Sequence, residues 1–388
     1  MMATETAGGA EGPPLDRGPL STRVVSDRGE FAAMARDWNA LLTASESDVP
    51  FLTHQWLSAW LDIYGRDVGL FVVLAEDAAG LAGIVPLYVQ RRPTLAGEAT
   101  VLRFLGDRDC GADFLGVILR PDREAETAAA LAGHLARDQA WHVLVLDHAD
   151  ARSRSFTLFS EGLRSAGVKA SRAFGNVCPH MSLPDSFTAF LDLPDCVFKR
   201  IIAKDAARFW KKHRMRYAPG FAAEEFDPVL NRLFETHVQR FMRRDGHDTL
   251  GDARRQAFYR AVALLFHEQG WLKLTAMEVE GTLEAVDFGF LYHGAYYSLQ
   301  GGISRAGLAL KAGNIQTFSL LGDIAGTARE FHYLRGEELY KYQWGCESLM
   351  TVRLSAFRGW PGRAFGLARA ARGAVKTVKR AIRPKRES

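Results

Sequence analysis

The segment FHYLRGEELYKYQW, residues 331–344, sets an arginine, two glutamates and a lysine among aromatic side chains. Its order predicts a strand over Phe331–Leu334 and a turn at Arg335-Gly336. Glu337 and Glu338 then face Arg335 and Lys341, with Tyr340 and Trp344 packed beneath. That grouping is either one wall of a site or an ion network closing a sheet edge. Asp287 poses the same choice. It interrupts the apolar run AVDFGFLY, and a buried carboxylate is costly unless hydrogen bonds compensate it, so it is held for structure or kept for chemistry. Tyr297 and Gln300, on the following AYYSLQGGIS, either line the same cleft or are plain strand residues.

The usual catalytic signatures are missing. There is no G-x-x-x-x-G-K-[ST] loop, no G-x-S-x-G elbow, no H-E-x-x-H, and no G-x-G-x-x-G after a strand. The 11 histidines have no ligand spacing, and His142 and His148 read as strand-end residues, so no metal is expected. The DFG at 287–289 sits inside a predicted strand with no catalytic loop before it. A chain without metal, flavin or nucleotide signatures works, if it works, by positioning two substrates.

The elements that would do the positioning are legible from periodicity. Helices are predicted over 29–43, 53–64, 122–138 and 154–166, and strands over 70–76, 81–90, 100–106, 113–120 and 141–148, with extended chain at 167–183. A second series has helices at 186–192, 196–216, 228–244 and 252–269, strands at 271–280, 282–293 and 295–304, and a helix at 311–329. VVLAEDAAGLAGIVPLY (72–88) and LTAMEVEGTLEAVDFGFLY (274–292) share a pattern: a strand with acidic end, a glycine turn, then a long apolar strand ending in Leu-Tyr. Both follow a pair of helices, which argues for duplication.

Composition is that of a globular protein, 47% hydrophobic and 24% charged. The longest apolar run, LAGIVPLYV at 81–89, is far short of the ~20 residues that span a bilayer. Residues 1–24 read as a disordered leader with no signal-peptide pattern. Cys110, Cys178, Cys196 and Cys346 are widely spaced, which disfavours a disulfide framework and fits a cytoplasmic setting. The net charge of +4 hides an asymmetry: residues 353–388 hold 11 Lys or Arg against one acid, Glu387. This basic tail, 351–388, intersperses Phe365, Leu367, Val375, Val378 and Ile382. It is either a solvated terminus or an amphipathic helix for an anionic membrane surface, which would make the protein peripheral at the inner face of the membrane. The stretch 197–217 is a second basic element, carrying Lys199, Arg200, Lys204, Arg208, Lys211, Lys212, Arg214 and Arg216 against Asp205.

The ordered blocks FLTHQWLSAWLDIYG, LAGIVPLY, GADFLGVIL, KKHRMRYAPG, GWLKL, FGFLYHGAYYSLQGG and FHYLRGEELYKYQW resemble the GNAT-type acetyltransferases of the CelD/BioF2-like group, relatives of the Fem-type aminoacyltransferases. The resemblance spans about residues 25–350. It implies an α/β fold of two tandem GNAT-like domains, 25–184 and 185–350, each a mixed central sheet flanked by helices. It also implies acyl transfer from acetyl-CoA or another acyl-CoA to an amine or hydroxyl, on a sugar, a lipid-linked acceptor or an envelope or exopolysaccharide precursor. In such a fold the donor's pyrophosphate meets backbone N–H groups where a strand turns into a helix. The matching stretch here is GGISRAGLALKAGN. Gly313 there permits close backbone approach, with Asn314 beside it and Lys311 and Arg305 adding charge, although the usual Q/R-x-x-G-x-G/A signature is degenerate. Arg335, Glu338, Tyr340 and Lys341 carry over from the family block as site candidates, Glu338 as base and Lys341 as phosphate or acceptor ligand. Asp287 is a further candidate base, with Tyr297 and Gln300 as substrate contacts. Two alternatives stay open. One is a Fem-type transferase fed by aminoacyl-tRNA, which would use 197–217 on nucleic acid. The other is a non-catalytic membrane-peripheral accessory protein of polysaccharide assembly.

Overall fold

Two-residue turns set the register of the second half of the sheet. Glu280-Gly281 (φ 50° and 84°) and His293-Gly294 (φ 42° and 81°) are both left-handed pairs, the geometry that matches the twist of a tight hairpin. The computed structural model describes residues 18–107, 110–193, 197–244 and 250–382.

The first half runs β1 (Ser21–Val25), α1 (Arg28–Ala33), α2 (Ala35–Ala44), α3 (His54–Tyr64), β2 (Gly69–Asp77), β3 (Gly80–Thr94), β4 (Gly97–Phe104), β5 (Ile118–Leu119), α4 (Glu124–Arg137), β6 (Val143–Asp150), α5 (Arg154–Ser165) and β7 (Ala170–Ser182). Helices α6 (Phe187–Asp192) and α7 (Val197–Lys212) lead to the second half. There follow β8 (Met215–Ala218), α8 (Phe226–Arg244), α9 (Ala253–Glu268), β9 (Leu272–Val279), β10 (Thr282–Tyr292), β11 (Ala295–Ile303), α10 (Arg305–Ala309), α11 (Ala312–Ile324), β12 (Glu330–His332), α12 (Leu339–Gln343), β13 (Glu347–Phe357) and α13 (Gly359–Ile382). Side-chain caps start several helices: Thr53 accepts from the Trp56 N–H, Ser153 from Phe156 and Asp252 from Arg254.

The strands form one mixed sheet in the order β1-β2-β3-β4-β6-β13-β7-β12-β11-β10-β9-β8. Read from either end the pattern is the same. Four strands pair antiparallel in succession, and the fourth then pairs parallel with the next, β4 with β6 and β11 with β12. The halves then exchange strands. β6 pairs with β13, from the end of the chain, while β12 pairs with β7, from its middle. β13 and β7 pair with each other at the centre. The two halves therefore cannot be parted without breaking ladder hydrogen bonds. Their helices also meet: Trp56 of α3 lies edge-on to Phe258 of α9, with centroids 4.9 Å apart, beside Phe266 and Phe290.

Three expectations change. Ser21–Val25, placed within the leader, is an edge strand, fixed by its register on β2 and by Arg23 between Glu30 and Glu76; residues 1–17 lie outside the described residues. The strand expected over 113–120 shrinks to Ile118–Leu119, because the preceding residues run as a loop with Phe114 at φ 58°. Residues 351–357, grouped with the basic tail, belong to β13 at the centre of the sheet, and helix α13 begins only at Gly359. Cys110 and Cys178 are buried free thiols and Cys346 is buried; Cys196 lies outside the described residues. Among the described residues, no helix is long and apolar enough to cross a membrane.

Candidate active site

In each half the parallel pair has a short common register. β11 and β12 align only over Ala295–Tyr297 and Glu330–His332. Beyond Tyr297, β11 runs on to Ile303, while the chain after His332 turns toward β7, with the N–H groups of Tyr333 and Gly336 donating to Pro179 and Val177. The strands therefore diverge, and among the described residues no backbone bridge crosses the opening. The equivalent opening in the first half is filled. After the Val101–Arg103 register with Val143–Val145, Leu115 inserts beside β6, bridging to Ala149 and donating its N–H to the His148 carbonyl at 3.0 Å. Among the described residues, no such insertion bridges the opening in the second half.

One side of that gap leads to α11. Its N-cap residue, Lys311, is left-handed at φ 53° and provides no side-chain cap, so the first-turn amides of Ala312, Gly313 and Asn314 have no capping side chain. Such a helix start attracts anions. Lys311 is not free to swing, since its Nζ pairs with Asp205 of α7 at 2.6 Å. That pair holds the middle of basic α7 beside the start of α11. On α7, Lys199 points inward, donating to the Phe190 carbonyl and lying over its ring, while Arg200, Lys204, Arg208, Lys211 and Lys212 are exposed. Arg214 and Arg216, just beyond α7, pair instead with Glu280 and Glu278. Arg305 is exposed in the first turn of α10. The tight glycine of this loop is Gly307 rather than Gly313. A Cβ on Gly307 would lie 2.5 Å from the Glu284 carbonyl oxygen, whereas one on Gly313 would meet only the tip of Ile303 at 3.1 Å.

Asp287 lies on the α11 side of β10. It accepts from Tyr296 and from Ser298 Oγ (2.7 Å), and the Tyr296 hydroxyl reaches it across the space that a side chain at Gly289 would fill. Burial raises its pKa to about 6, against the opposing pull of the two hydroxyls. A raised folded pKa favours the protonated form, so the stability this provides is full below about pH 4 and is lost as pH rises through 6. Urea titrations from pH 4 to 7 should show the wild type losing up to about 3 kcal/mol relative to Asp287→Asn. Parallel curves for the two proteins would show that the carboxyl titrates normally.

Tyr297 and Gln300, expected in the same cleft as Asp287, lie on the other face. Leu299 is an extra residue on β11, between the pairs Gly289–Ser298 and Phe288–Gln300. Gln300 Nε2 contacts His237 Nδ1 of α8 at 2.8 Å. Tyr297 stacks parallel on His332, with centroids 4.8 Å apart and an 8° interplanar angle, and meets Phe51 edge-on. His332 is thus the last β12 residue before the strands part. It is 5% exposed, and its Nε2 contacts Glu330 Oε2 at 2.8 Å. Its Nδ1 is buried and has no hydrogen-bond partner among the described residues. With Nε2–H donating to the carboxylate, Nδ1 of the neutral ring carries the free lone pair. The hydrogen bond from His332 holds the Glu330 carboxyl below its ordinary pKa. A base oriented by a second group, with its other nitrogen unused, is the arrangement of a general base. His332 stands inside FHYLRGEELYKYQW, and the i, i+2 spacing of Glu330 and His332 on one strand face is the signal by which the sequence could have shown it.

The rest of that segment supports the gap. The Arg335 N–H and Nε donate to Asp113 Oδ2 at 3.0 and 3.2 Å, and its guanidinium also reaches the Ala112 carbonyl. Asp113 is fully buried. Arg335 thus binds the first half rather than Glu337 and Glu338. The loop it grips touches the gap twice more: Gly111 lies against Leu299, and the Phe114 ring lies edge-on to His332. Phe114 and Leu334, next to the two partners, are both left-handed at φ 58° and 55°, strain of the kind held at functional sites. Lys341 is 4% exposed and donates to the carbonyls of Tyr333, Arg335 and Gly336 while pairing with Glu338 at 2.9 Å. Its ammonium fixes the loop after β12. Tyr340 is 37% exposed and lies edge-on to Tyr333. Among the described residues no cluster of His, Cys, Asp and Glu is arranged to hold a metal.

Residues 200–342 match the model of a family described as an acetyltransferase (GNAT) domain. No curated protein matches the sequence. The crystal structure of FemX is similar in fold, with a TM-score of 0.62 at 10% identity, covering 89% of this chain and 99% of that one. A conserved protein of unknown function from Bacteroides thetaiotaomicron VPI-5482 is also similar, with a TM-score of 0.54 at 13% identity, over 87% of this chain and 100% of that one. The duplicated strand order, the splayed parallel pair above a helix N-terminus and the match over 200–342 agree: the second half of this chain is similar to a GNAT acetyltransferase domain, and the fold of the whole is similar to that of FemX.

Proposed function

We propose that the protein transfers an acyl group from acyl-CoA to an amine or hydroxyl, in the gap between β11 and β12, on a sugar or cell-envelope precursor as acceptor. The observation that carries this reading is the open divergence of β11 and β12, with an uncapped helix start on one side and an unpaired imidazole nitrogen at its apex. The donor's phosphates lie at the first turn of α11, with Lys311 and the exposed cations of α7 alongside. Its thioester reaches the level of Tyr297 and His332. There the acceptor nitrogen or oxygen bonds to the carbonyl carbon as His332 Nδ1 takes its proton, and the C–S bond breaks to release the CoA thiolate. The thiolate then takes up a proton. Backbone N–H groups at the Leu299 bulge, where the ladder is interrupted, serve the developing oxyanion.

Calorimetric titration with acetyl-CoA and a longer acyl-CoA tests the donor. Binding is expected for the wild type, and a loss of at least about tenfold for Gly313→Trp, whose indole would stand in the first turn of α11. No binding of either thioester by the wild type would refute the acyl-CoA reading.

A second reading, transfer from aminoacyl-tRNA, is favoured by one observation, the exposed basic face of α7 beside the start of α11. Activity that requires charged tRNA would select it.

A further inference from the structure

The surface around α13 groups exposed large apolar side chains with cations. Trp360 and Leu367, two helical turns apart on one face, are 75% and 73% exposed, and Leu95, at the tip of the β3–β4 hairpin, is fully exposed. Leu95 belongs to the same surface as the helix, since it lines a 480 Å³ cleft together with Ala364, Phe365 and Ala368. Opposite the stripe, Phe365 packs inward against the sheet beside Val101 and Val143. Three large apolar side chains therefore project from a helix and a hairpin that are themselves anchored. Cations surround them. Arg92 lines the cleft, and Arg363 lies over the Trp360 ring. Over residues 359–382 the sequence has six Lys or Arg and no Asp or Glu.

We propose that α13 and the β3–β4 hairpin tip form a docking surface for an anionic lipid bilayer. Leu95, Trp360 and Leu367 enter the acyl boundary, and the arginines meet lipid phosphates. Charge complementarity supplies the attraction and the three apolar side chains supply the depth. A solvated basic terminus would not need leucines held outward on two separate elements. A nucleic acid would use the cations, but it has no hydrocarbon to receive Leu95 and Leu367, and only one of the three side chains can stack on a base. The six cations keep α13 on the membrane rather than through it.

The test is co-sedimentation of the full chain with phosphatidylcholine vesicles, with and without about one-third phosphatidylglycerol. Binding is expected to the anionic vesicles, weakened by 0.5 M salt, and at least about tenfold weaker for Leu95→Asp/Leu367→Asp. Both positions are exposed, so an unchanged thermal midpoint certifies that the variant is folded. Donor titration is expected to be identical for the two proteins, which separates this surface from the active site. Equal vesicle binding by variant and wild type overturns the proposal, as does binding indifferent to lipid charge. Failure on vesicles with tight binding to a tRNA would instead assign the surface to nucleic acid.

Discussion

His332→Ala is expected to lower turnover by about 10²–10⁴-fold, the usual contribution of a positioned general base, with donor affinity nearly unchanged. The buried imidazole has one nitrogen on Glu330 and the other without a partner, in a sheet whose other strand faces are largely apolar. A purely structural role would show as a drop in thermal stability with proportional loss of donor binding. Chemistry would show as lost turnover in a stable, donor-binding protein. His332→Gly offers a sharper readout, because imidazole added to solution should restore part of its activity only if the ring moves a proton. Glu330→Gln should lower turnover less, since it leaves the base in place but weakens the partner that fixes its tautomer. Wild-type turnover in His332→Ala would return Asp287 to consideration. That carboxyl, however, faces the α11 side and already accepts from two hydroxyls.

Arg335→Ala is expected to destabilise the protein by about 3–5 kcal/mol, because Asp113 would remain fully buried without its cation. The midpoint of thermal unfolding should fall by several degrees, and activity should fall with it, since the loop gripped by Arg335 carries Gly111 against Leu299 and Phe114 against His332. The double variant Arg335→Ala/Asp113→Ala should recover a substantial part of the stability, because it removes the stranded charge as well as the pair. It should not recover activity, which depends on where the loop sits. Additive losses in the double variant would show that the two side chains do not act as a unit. The pair also gives the first half a part in the site. Its own opening is filled by Leu115, yet the loop that fills it forms a wall of the opening in the other half.

Much of the architecture was legible because it rests on local rules. The hairpins at Gly281 and Gly294 follow from left-handed turn residues between alternating apolar runs. The kinship of 72–88 with 274–292 appears in the structure as the matching hairpins β2–β3 and β9–β10. The fragments that misled were those whose partners are remote. Residues 113–117 look like a strand because they are apolar, but they are apolar for filling a gap beside β6. Residues 351–357 look like the start of a basic tail because Arg353 is read as solvated, whereas Asp147 pairs with it in the sheet. Strand exchange between halves leaves no trace in periodicity, since β7 and β13 read alike whichever neighbour they take. In FHYLRGEELYKYQW the charged residues drew notice by their type. Lys341 and Arg335 proved to be held by carbonyls and by Asp113, an aspartate 222 residues away. The residue proposed for the chemistry is the histidine, whose setting depends on Tyr297 and on the point where two strands part.

The most direct test of the central claim is a crystal structure with a non-hydrolysable acyl-CoA analogue. The pyrophosphate is expected at the N–H groups of Ala312, Gly313 and Asn314, with the acyl carbonyl between the Leu299 bulge and His332. An analogue bound instead between β4 and β6, or at the start of α4, would contradict the assignment of the donor to the second half and with it the role given to His332.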